Sequence, residues 1–388
     1  MAEKVLIIGR GEGRTALEHI LKKRYPQVEV DVIDMEGRSM TQLLNDIRFV
    51  RKGDYDLVFG NGLNTAKGIT ELRRKGLPTF GVDTNNWIVE KDRIESKRLL
   101  AKCGVLQGDY NYYRDFSEYE KNKEDFVGFP CFVKHRDGVG TISFRVDSEV
   151  ELEFLVKVFG YRYGLVMEKP LEGIEVSSNF ILNSTGYRYI GSNHDVKAEN
   201  AELLGNVYTY LPPEKAHELN KGIYGLLNYL VSTGYRGVIA VTMFVDSSGK
   251  ESRVIECNAR LGFTSGYMYL ENIKNVLEVL VAVAEDQPLP EIEVRHKHGI
   301  TSVVHSALRR EEQDIPVVVD KYTTGCILPN NVHDGFCDGF APYLLISMGD
   351  DILCIYDEIE ELYSKVQMPM KYKHNVDFCR FMALEVVL

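Results

Sequence analysis

The first hundred residues alternate between short apolar runs and segments with helical spacing. Val5-Leu6-Ile7-Ile8 is a continuous apolar run, which predicts a buried strand, and residues 15–21 then follow a helical period. Three further runs predict strands at 28–34, 57–60 and 78–81, with a helix near 65–75. This alternation predicts a parallel sheet with helices on both faces.

The pattern changes after a helix predicted over about 91–103, which Gly104 ends. Apolar and polar positions then alternate as they do in antiparallel strands. The elements predicted beyond this point are strands at 130–134, 142–146, 165–171, within 175–210, at 237–246 and around 256, and helices at 149–159, 218–232, 272–284 and 351–366. We therefore expect an α/β (α+β) protein of four units, with bounds of 1–104, 105–190, 191–290 and 291–388.

Three polar side chains alternate along the strand predicted around Glu256. Glu256, Asn258 and Arg260 share one face, since alternate residues of a strand point the same way. Carboxylate and amide oxygens suit Mg²⁺ or Mn²⁺, and a guanidinium suits phosphate. Together they can hold a metal-bound triphosphate and stabilise a phosphoryl group during transfer. An edge strand with a solvated polar face would show the same sequence.

Two lysines precede this strand at places where a phosphate could bind. Lys134 ends an apolar strand beside a loop that contains Gly138 and Gly140, whose backbone amides can approach an anion. Lys97 lies on the preceding helix and could reach the same phosphate. A solvated strand end and a solvated helix face are the alternatives for these two lysines.

Two glutamates flank a bend that could hold a nucleoside. Glu168 and Glu175 are seven residues apart, and the segment Lys169-Pro170-Leu171 lies between them. Its backbone N–H and C=O groups can face a purine edge. Glu168 could accept from an exocyclic amine and Glu175 from ribose hydroxyls. Two exposed carboxylates are the alternative.

Composition and charge argue against several classes of binding partner. The 388 residues carry a net charge of −11, which argues against general affinity for nucleic acid or anionic membranes. No apolar stretch is long enough to span a bilayer, and the N-terminus does not resemble a secretory signal. The seven cysteines are scattered without a C-x-x-C pair, which suggests reduced thiols in a cytoplasm-like compartment.

A glycine-rich turn, Gly9-Arg10-Gly11-Glu12-Gly13-Arg14, follows the first strand. It partly matches a dinucleotide fingerprint with Asp34 as the ribose acid, but Arg14 stands where the third glycine is expected. A turn that cradles another anion at a helix start is as compatible with the sequence. A dinucleotide-dependent oxidoreductase is therefore one alternative function.

The order of these charged residues resembles that of the ATP-grasp superfamily. Within it, the chain is most similar to the phosphoribosylamine–glycine ligase (glycinamide ribonucleotide synthetase) family, and the similarity covers most of the sequence. The segments that carry the resemblance are 4–9, 60–81, 95–97, 166–173, 235–238, 255–262, 343–351 and 371–377. The resemblance implies an ATP-grasp fold between an N-terminal parallel-sheet (pre-ATP-grasp) domain and a C-terminal α+β domain.

The resemblance also implies roles for individual residues. They fall into groups that bind phosphate, adenosine and metal. Lys97 and Lys134 would bind phosphate, Glu168 and the backbone of Lys169 and Leu171 would bind adenine, and Glu175 would bind ribose. Glu256 and Asn258 would bind Mg²⁺, and Arg260 would stabilise the transferred phosphoryl group. Lys197 would be a further phosphate or substrate contact.

The reaction of the resembled family activates a carboxylate as an acylphosphate, which an amine attacks to give an amide, ADP and phosphate. We therefore expect a cytoplasmic ATP-dependent carboxylate–amine ligase, with an amino acid and a small amine as substrates. A homodimer is compatible with the resemblance, and neither nucleic acid nor membrane partners are expected. A non-catalytic protein that binds and senses ATP is the other alternative.

The segments that would face the acceptor substrates depart from the family pattern. Residues 60–64 read Gly-Asn-Gly-Leu-Asn in place of Gly-Pro-Glu-Ala-Pro, and residues 199–206 and 262–266 depart similarly. Thr242 stands where many ATP-grasp enzymes carry a second acidic metal ligand. The half of the site that binds ATP thus resembles the family, whereas the substrate half is rebuilt.

Overall fold

The structure is a computed structural model. It describes residues 2–9, 11–35, 38–137, 143–160, 164–197, 203–246, 249, 251–262, 265–306, 315–316, 325–329, 336–337, 343–366 and 371–372. The predicted phosphate-loop glycines Gly138 and Gly140 lie outside these residues. None of the described helices has the length and the apolar composition that a membrane crossing requires.

The N-terminal unit is a four-stranded parallel sheet, which confirms the prediction. Its elements are β1 (Lys4–Gly9), α1 (Gly11–Arg24), β2 (Glu29–Asp34), α2 (Met40–Asp46), β3 (Leu57–Gly60), α3 (Ala66–Arg74) and β4 (Thr79–Phe80). The strand order is β2-β1-β3-β4. Val5 and Ile7 pack in the core that contains residues of α1, whereas Leu6 and Ile8 pack with residues of α2 and α3. Both faces of the sheet are therefore covered, as the continuous apolar runs predicted.

Two helices connect this unit to the next one, α4 (Ile88–Lys91) and α5 (Arg93–Lys102). The single helix predicted over 91–103 is thus interrupted at its start. The interruption is Asp92, which is extended and whose carboxylate accepts from the N–H groups of Ile94 (3.0 Å) and Glu95 (3.1 Å). Asp92 therefore ends α4 and caps α5.

A small antiparallel sheet follows. Its elements are β5 (Tyr110–Tyr113), α6 (Phe116–Lys121), β6 (Cys131–His135), β7 (Phe144–Val146), α7 (Glu149–Phe159) and β8 (Leu165–Glu168). The strand order is β5-β8-β6-β7, with Lys134 opposite Val166 and Phe132 opposite Glu168. Because residues two apart on a strand share a face, this register places Lys134 and Glu168 diagonally on the same face.

The largest sheet is antiparallel. The strands that follow β8 in the chain are β9 (Ile174–Asn183), β10 (Gly186–Lys197), β11 (Leu203–Thr209), β12 (Gly237–Val245), β13 (Ser252–Asn258), β14 (His298–Ser306), β15 (Ile315–Pro316), β16 (Gly325–Pro329), β17 (Phe336–Cys337), β18 (Tyr343–Gly349) and β19 (Lys371–Tyr372). The large sheet has the order β13-β12-β9-β10-β11-β14-β18-β16, β19 pairs with β14, and β15 and β17 form a separate pair. C-terminal strands thus extend the sheet that carries Glu256.

Two helices predicted in this region are wrong in extent. The helix predicted over 218–232 is two helices, α8 (Pro213–Asn220) and α9 (Tyr224–Ser232), with a 3₁₀ turn that contains Gly222 between them. The helix predicted over 272–284 begins later, as α11 (Val276–Ala284), and the prediction missed α10 (Gly266–Asn272) before it. The Asn272 side chain ends α10, because it bonds both the N–H (2.8 Å) and the carbonyl (2.9 Å) of His296. The last helix, α12 (Ile352–Lys365), agrees with its prediction.

Candidate nucleotide and metal site

Three of the predicted nucleotide residues form one buried ionic cluster. Glu168, at the end of β8, lies between Lys97 of α5 and Lys134 of β6. Its Oε1 is 3.1 Å from Lys97 Nζ, and its Oε2 is 2.8 Å from Lys134 Nζ. The exposed fractions are 4% for Lys97, 6% for Lys134 and 7% for Glu168. Residues far apart in sequence thus meet within hydrogen-bonding distance.

The electrostatics of this cluster favour an anionic ligand. Burial opposes the ionised form of Glu168, but Lys134 and Lys97 together lower its pKa. Burial lowers the pKa of Lys97, and Glu168 partly offsets that effect. Two lysines face one carboxylate, so the cluster holds one uncompensated positive charge where burial makes such a charge costly. A bound phosphate would supply the missing negative charge.

The strand β13 presents Glu256 and Asn258 beside this cluster. Arg93, the first residue of α5, lies 3.4 Å from Glu256 Oε2, and the Asn258 amide donates to Glu256 Oε1 (3.3 Å). Burial again opposes ionisation, yet Arg93 and Lys134 lower the pKa of Glu256 to about 2. Glu256 is therefore a carboxylate at neutral pH, the form that binds a metal.

The neighbouring strand offers no second acid. Thr242 of β12 is paired with Glu256, and its hydroxyl bonds the hydroxyl of Ser177 on β9 (2.8 Å). Within the part of the chain that the structure describes, no group of three or more His, Cys, Asp or Glu side chains could hold a metal. Mg²⁺ commonly binds through one or two protein carboxylates, substrate phosphates and water, so Glu256 with the Asn258 oxygen fits that chemistry.

Arg260 is held in place by an acid that the sequence analysis did not identify. The Oε1 of Glu90 accepts from Arg260 Nε (2.8 Å), and its Oε2 accepts from the backbone N–H of Ala259 (2.8 Å). A terminal nitrogen of Arg260 also donates to Asn258 Oδ1 (3.1 Å). Glu90 is only 7% exposed, whereas the Arg260 side chain is 34% exposed. Glu90 therefore anchors the inner edge of the guanidinium, and its outer part faces the solvent.

One cleft connects the cluster of Lys97 and Glu168 to the pair of Glu256 and Asn258. It lies between α4, α5 and β13, where the ends of the helices meet the strand. Its lining residues are Val89, Glu90, Arg93, Ser96, Lys97, Leu100, Glu168, Ile255, Glu256, Cys257 and Asn258. Lys97, which could bind phosphate, therefore faces the same space as Glu256 and Asn258, which could bind a metal.

The predicted adenosine segment follows β8 directly. The Lys169 N–H donates to the Asp109 carbonyl (3.0 Å), so the group that Lys169 could offer to adenine is its carbonyl. Gly173 has φ of +122°, and a Cβ there would lie 2.1 Å from the Val245 carbonyl oxygen. Only glycine fits this close approach, which fixes the path of the chain between Leu171 and β9.

Glu175 and Lys197 form a separate ion pair on β9 and β10. Lys197 Nζ lies 2.6 Å from Glu175 Oε1. Burial lowers the pKa of Lys197, but Glu175, Asp195 and Glu256 raise it by a larger amount in sum. Lys197 therefore lies near the metal strand, although it does not line the cleft of Lys97.

Sequence reasoning missed Glu90, Arg93 and Asp195. The first two had a signal, since Glu90, Arg93 and Lys97 follow the helical spacing of three and four residues that places side chains on one face. The interruption at Asp92 concealed it.

At the N-terminal turn, which also carries an anion-binding prediction, Asp34 lies 3.1 Å from Arg14 in an ion pair.

Comparison with known proteins gives relatives of similar sequence and fold. No protein-family model matches the chain. Among curated proteins, a phosphoribosylamine–glycine ligase of Methanocaldococcus jannaschii is 21% identical over 423 aligned positions, covering 95% of this chain and 93% of that protein.

Solved structures agree with this match. The phosphoribosylamine–glycine ligase of Thermotoga maritima superposes with a TM-score of 0.75 at 16% identity, covering 95% of this chain and 98% of that one. The carboxyaminoimidazole ribonucleotide synthase of Aspergillus clavatus, crystallised with ATP, superposes with a TM-score of 0.67 at 13% identity, covering 94% and 98%. These similarities extend over nearly the whole chain, and they identify this protein as a relative of the ATP-grasp ligases with the ATP-grasp fold.

Proposed function

We propose that the protein is an ATP-dependent carboxylate–amine ligase that forms an amide through an acylphosphate. The observation that carries this proposal is the single cleft lined by Lys97, Glu168, Glu256 and Asn258. It combines a buried cationic cluster with a carboxylate–amide pair, which a metal-bound triphosphate requires. The matched ligases support the same class of reaction.

In this proposal different residues bind the phosphates, the adenosine and the metal. Lys97 and Lys134 bind phosphate, while Glu168 limits their repulsion before ATP arrives. Glu168, the backbone of Lys169 and Leu171, and Glu175 hold the adenosine. Glu256 and Asn258 would hold Mg²⁺, which when bound would neutralise negative charge on phosphate.

Arg260 is oriented by Glu90 and faces the phosphoryl group in transfer. Arginine suits this role because its fork of donors matches the phosphoryl oxygens. Lys197 is proposed as an additional phosphate or substrate contact, and Gly138 and Gly140 as backbone contacts of the phosphate loop.

The proposed carboxylate is an amino acid and the proposed amine is a small molecule. Glycine and phosphoribosylamine are the first candidates, because phosphoribosylamine–glycine ligases match along almost the whole chain. The departures at 60–64, 199–206 and 262–266 favour an acceptor that differs from that of those relatives. The four-unit division, a cytoplasmic location and a homodimer remain parts of the proposal.

The direct test is ADP release from Mg-ATP with glycine and freshly generated phosphoribosylamine, each omitted in turn. Turnover that requires both substrates would establish the ligase and its pair. Turnover with glycine only when hydroxylamine replaces the amine would establish carboxylate activation and point to another acceptor. ATP binding without ADP release across the amino acids, with hydroxylamine present, would contradict the proposal and favour an ATP sensor.

Lys134→Met is expected to weaken Mg-ATP binding about 30-fold to 100-fold. The substitution keeps most of the side-chain volume and removes a charge-assisted hydrogen bond to phosphate, worth about 2–3 kcal/mol. Calorimetric titration with a non-hydrolysable ATP analogue measures the change. Lys123→Met is the matched control, because Lys123 is exposed and pairs only with the exposed Glu149 (3.0 Å) among the described residues. Equal affinities for both variants would remove Lys134 from the phosphate site.

A further inference from the structure

A second polar cluster lies on the face of the large sheet and has no role in the nucleotide site described above. Its centre is Asp195 of β10, which is partly buried. The side-chain amides of Asn193 (2.6 Å) and Asn206 both donate to Asp195 Oδ1. Among the described residues, no hydrogen bond reaches Asp195 Oδ2. One oxygen of a fixed carboxylate is therefore available to a ligand.

Strand register places this cluster on the same face as the metal strand. Glu256 pairs with Thr242, Thr242 with Ser177, and Ser177 with Asn193. The hydroxyl contact between Ser177 and Thr242 shows that the row lies on one face. Asp195 follows Asn193 by two residues and so shares that face. A molecule held at Asp195 would therefore lie over the same side of the sheet as the proposed metal.

The cluster contains a second acceptor, and this one is fully buried. Asn179 is 1% exposed, and its amide nitrogen donates to the Tyr269 hydroxyl (2.7 Å), which in turn donates to Asn193 Oδ1 (2.6 Å). Asn179 Oδ1 has no hydrogen-bond partner. A buried amide oxygen without a donor is unfavourable by about 1–3 kcal/mol, so the inner end of the cluster lacks one hydrogen-bond donor.

The charges around Asp195 suit a proton acceptor. Burial raises the pKa of Asp195 to about 7, Lys197 opposes the shift, and Glu175 and Glu256 add to it. A carboxylate that titrates near neutral pH can both accept and release a proton under working conditions. The open oxygen of such a carboxylate recognises a nitrogen that carries hydrogens.

We propose that this cluster is the subsite of the amine substrate, and that the Asp195 carboxylate holds the attacking nitrogen and accepts its proton. The inference rests on the proposed ligase function. In the step, the N–C bond forms, the acyl C–O bond to phosphate breaks, and phosphate leaves with the electron pair. The proton lost by nitrogen passes to Asp195 and then to solvent. The ligand class is a primary amine on a small polar molecule.

Asp195→Asn separates this subsite from the rest of the reaction. The assay supplies Mg-ATP and one amino acid at a time, beginning with glycine. For each amino acid the nucleophile is hydroxylamine, phosphoribosylamine or ammonium. Hydroxylamine is largely unprotonated at neutral pH and needs no positioned base. In D195N we expect hydroxamate formation within about 3-fold of wild type, while ligation to the amine falls about 100-fold. Asp195→Glu should recover part of the ligation, and wild-type ligation should rise with pH through about 7 while hydroxamate formation does not.

The outcomes distinguish the subsite from the ligase function. Equal losses of both reactions in D195N would show a structural role and overturn the subsite, as would no loss of either. If no amino acid gives a hydroxamate, that result would contradict the ligase function and also the subsite that rests on it. Asp147→Asn, at an exposed carboxylate paired with Arg145 (3.0 Å), is the control.

Discussion

Glu256→Gln is expected to lower ADP formation on the order of 10³-fold, because it removes the only carboxylate on the proposed metal strand that faces the cleft. The paired position on β12 is Thr242, whose hydroxyl bonds Ser177, so it supplies no replacement charge. Glutamine keeps the shape of the side chain. The loss should therefore come from the metal and leave the fold intact, which circular dichroism would check.

A binding measurement separates the metal role from a general loss of activity. In the wild type, Mg²⁺ should strengthen ATP binding, and in E256Q that difference should nearly vanish. Glu251→Gln is the matched control, since Glu251 lies just before the same strand, is exposed and pairs with Arg253 (2.7 Å). Turnover by E256Q close to that of E251Q would exclude Glu256 as a metal ligand.

The sequence was sufficient for the parts of the site that local patterns encode. Alternation along the chain predicted Glu256 and Asn258 on one strand, although β13 ends at Asn258 and Arg260 lies beyond it, and a continuous apolar run predicted the strand that carries Lys134. Parallel pairing in the N-terminal sheet also followed from local patterns, because strands buried on both faces read as continuous apolar runs. These features depend on residues close together in the chain.

The contacts that no local pattern encodes were the ones missed. Glu90 meets Arg260 across 170 residues, which depends on how separate units pack, and Lys134 meets Glu168 across 34, which depends on the pairing of β6 with β8. The helix bounds around Asn272 failed for the same reason, because the residue that ends α10 does so through the backbone of His296. A pattern of period 3.6 continues through such a position, whereas a tertiary hydrogen bond interrupts it.

The buried position of Glu168 explains how the two lysines that are proposed to bind phosphate are held together before any ligand binds. Without that carboxylate, Lys97 and Lys134 would be like charges in a desolvated pocket, which is unfavourable. The carboxylate offsets the repulsion and leaves one positive charge for the ligand. The same residue then lies at the start of the segment proposed to contact adenine. Glu168 therefore links the phosphate end and the base end of the proposed nucleotide site.

Arg260→Ala is expected to lower kcat for ADP formation about 10³-fold, with a change in ATP affinity of about 3-fold or less. An arginine that meets the phosphoryl group during transfer contributes mainly in the transition state, so its loss should appear in kcat and not in ground-state binding. Glu90 makes this expectation specific, since it holds Arg260 Nε at 2.8 Å and leaves the outer part of the guanidinium exposed to solvent, where one terminal nitrogen bonds Asn258 Oδ1 (3.1 Å).

Pre-steady-state measurement of ADP formation, alongside equilibrium ATP binding, tests the split between the two constants. Arg253→Ala is the control, because Arg253 lies on β13, which leads to Arg260, and its Nε is paired with the exposed Glu251. A loss of ATP affinity as large as the loss of kcat would assign Arg260 to ground-state phosphate binding. Arg260→Lys should rescue little, because a compact ammonium lacks the planar fork that bonds Glu90 on one edge and presents terminal nitrogens on the other.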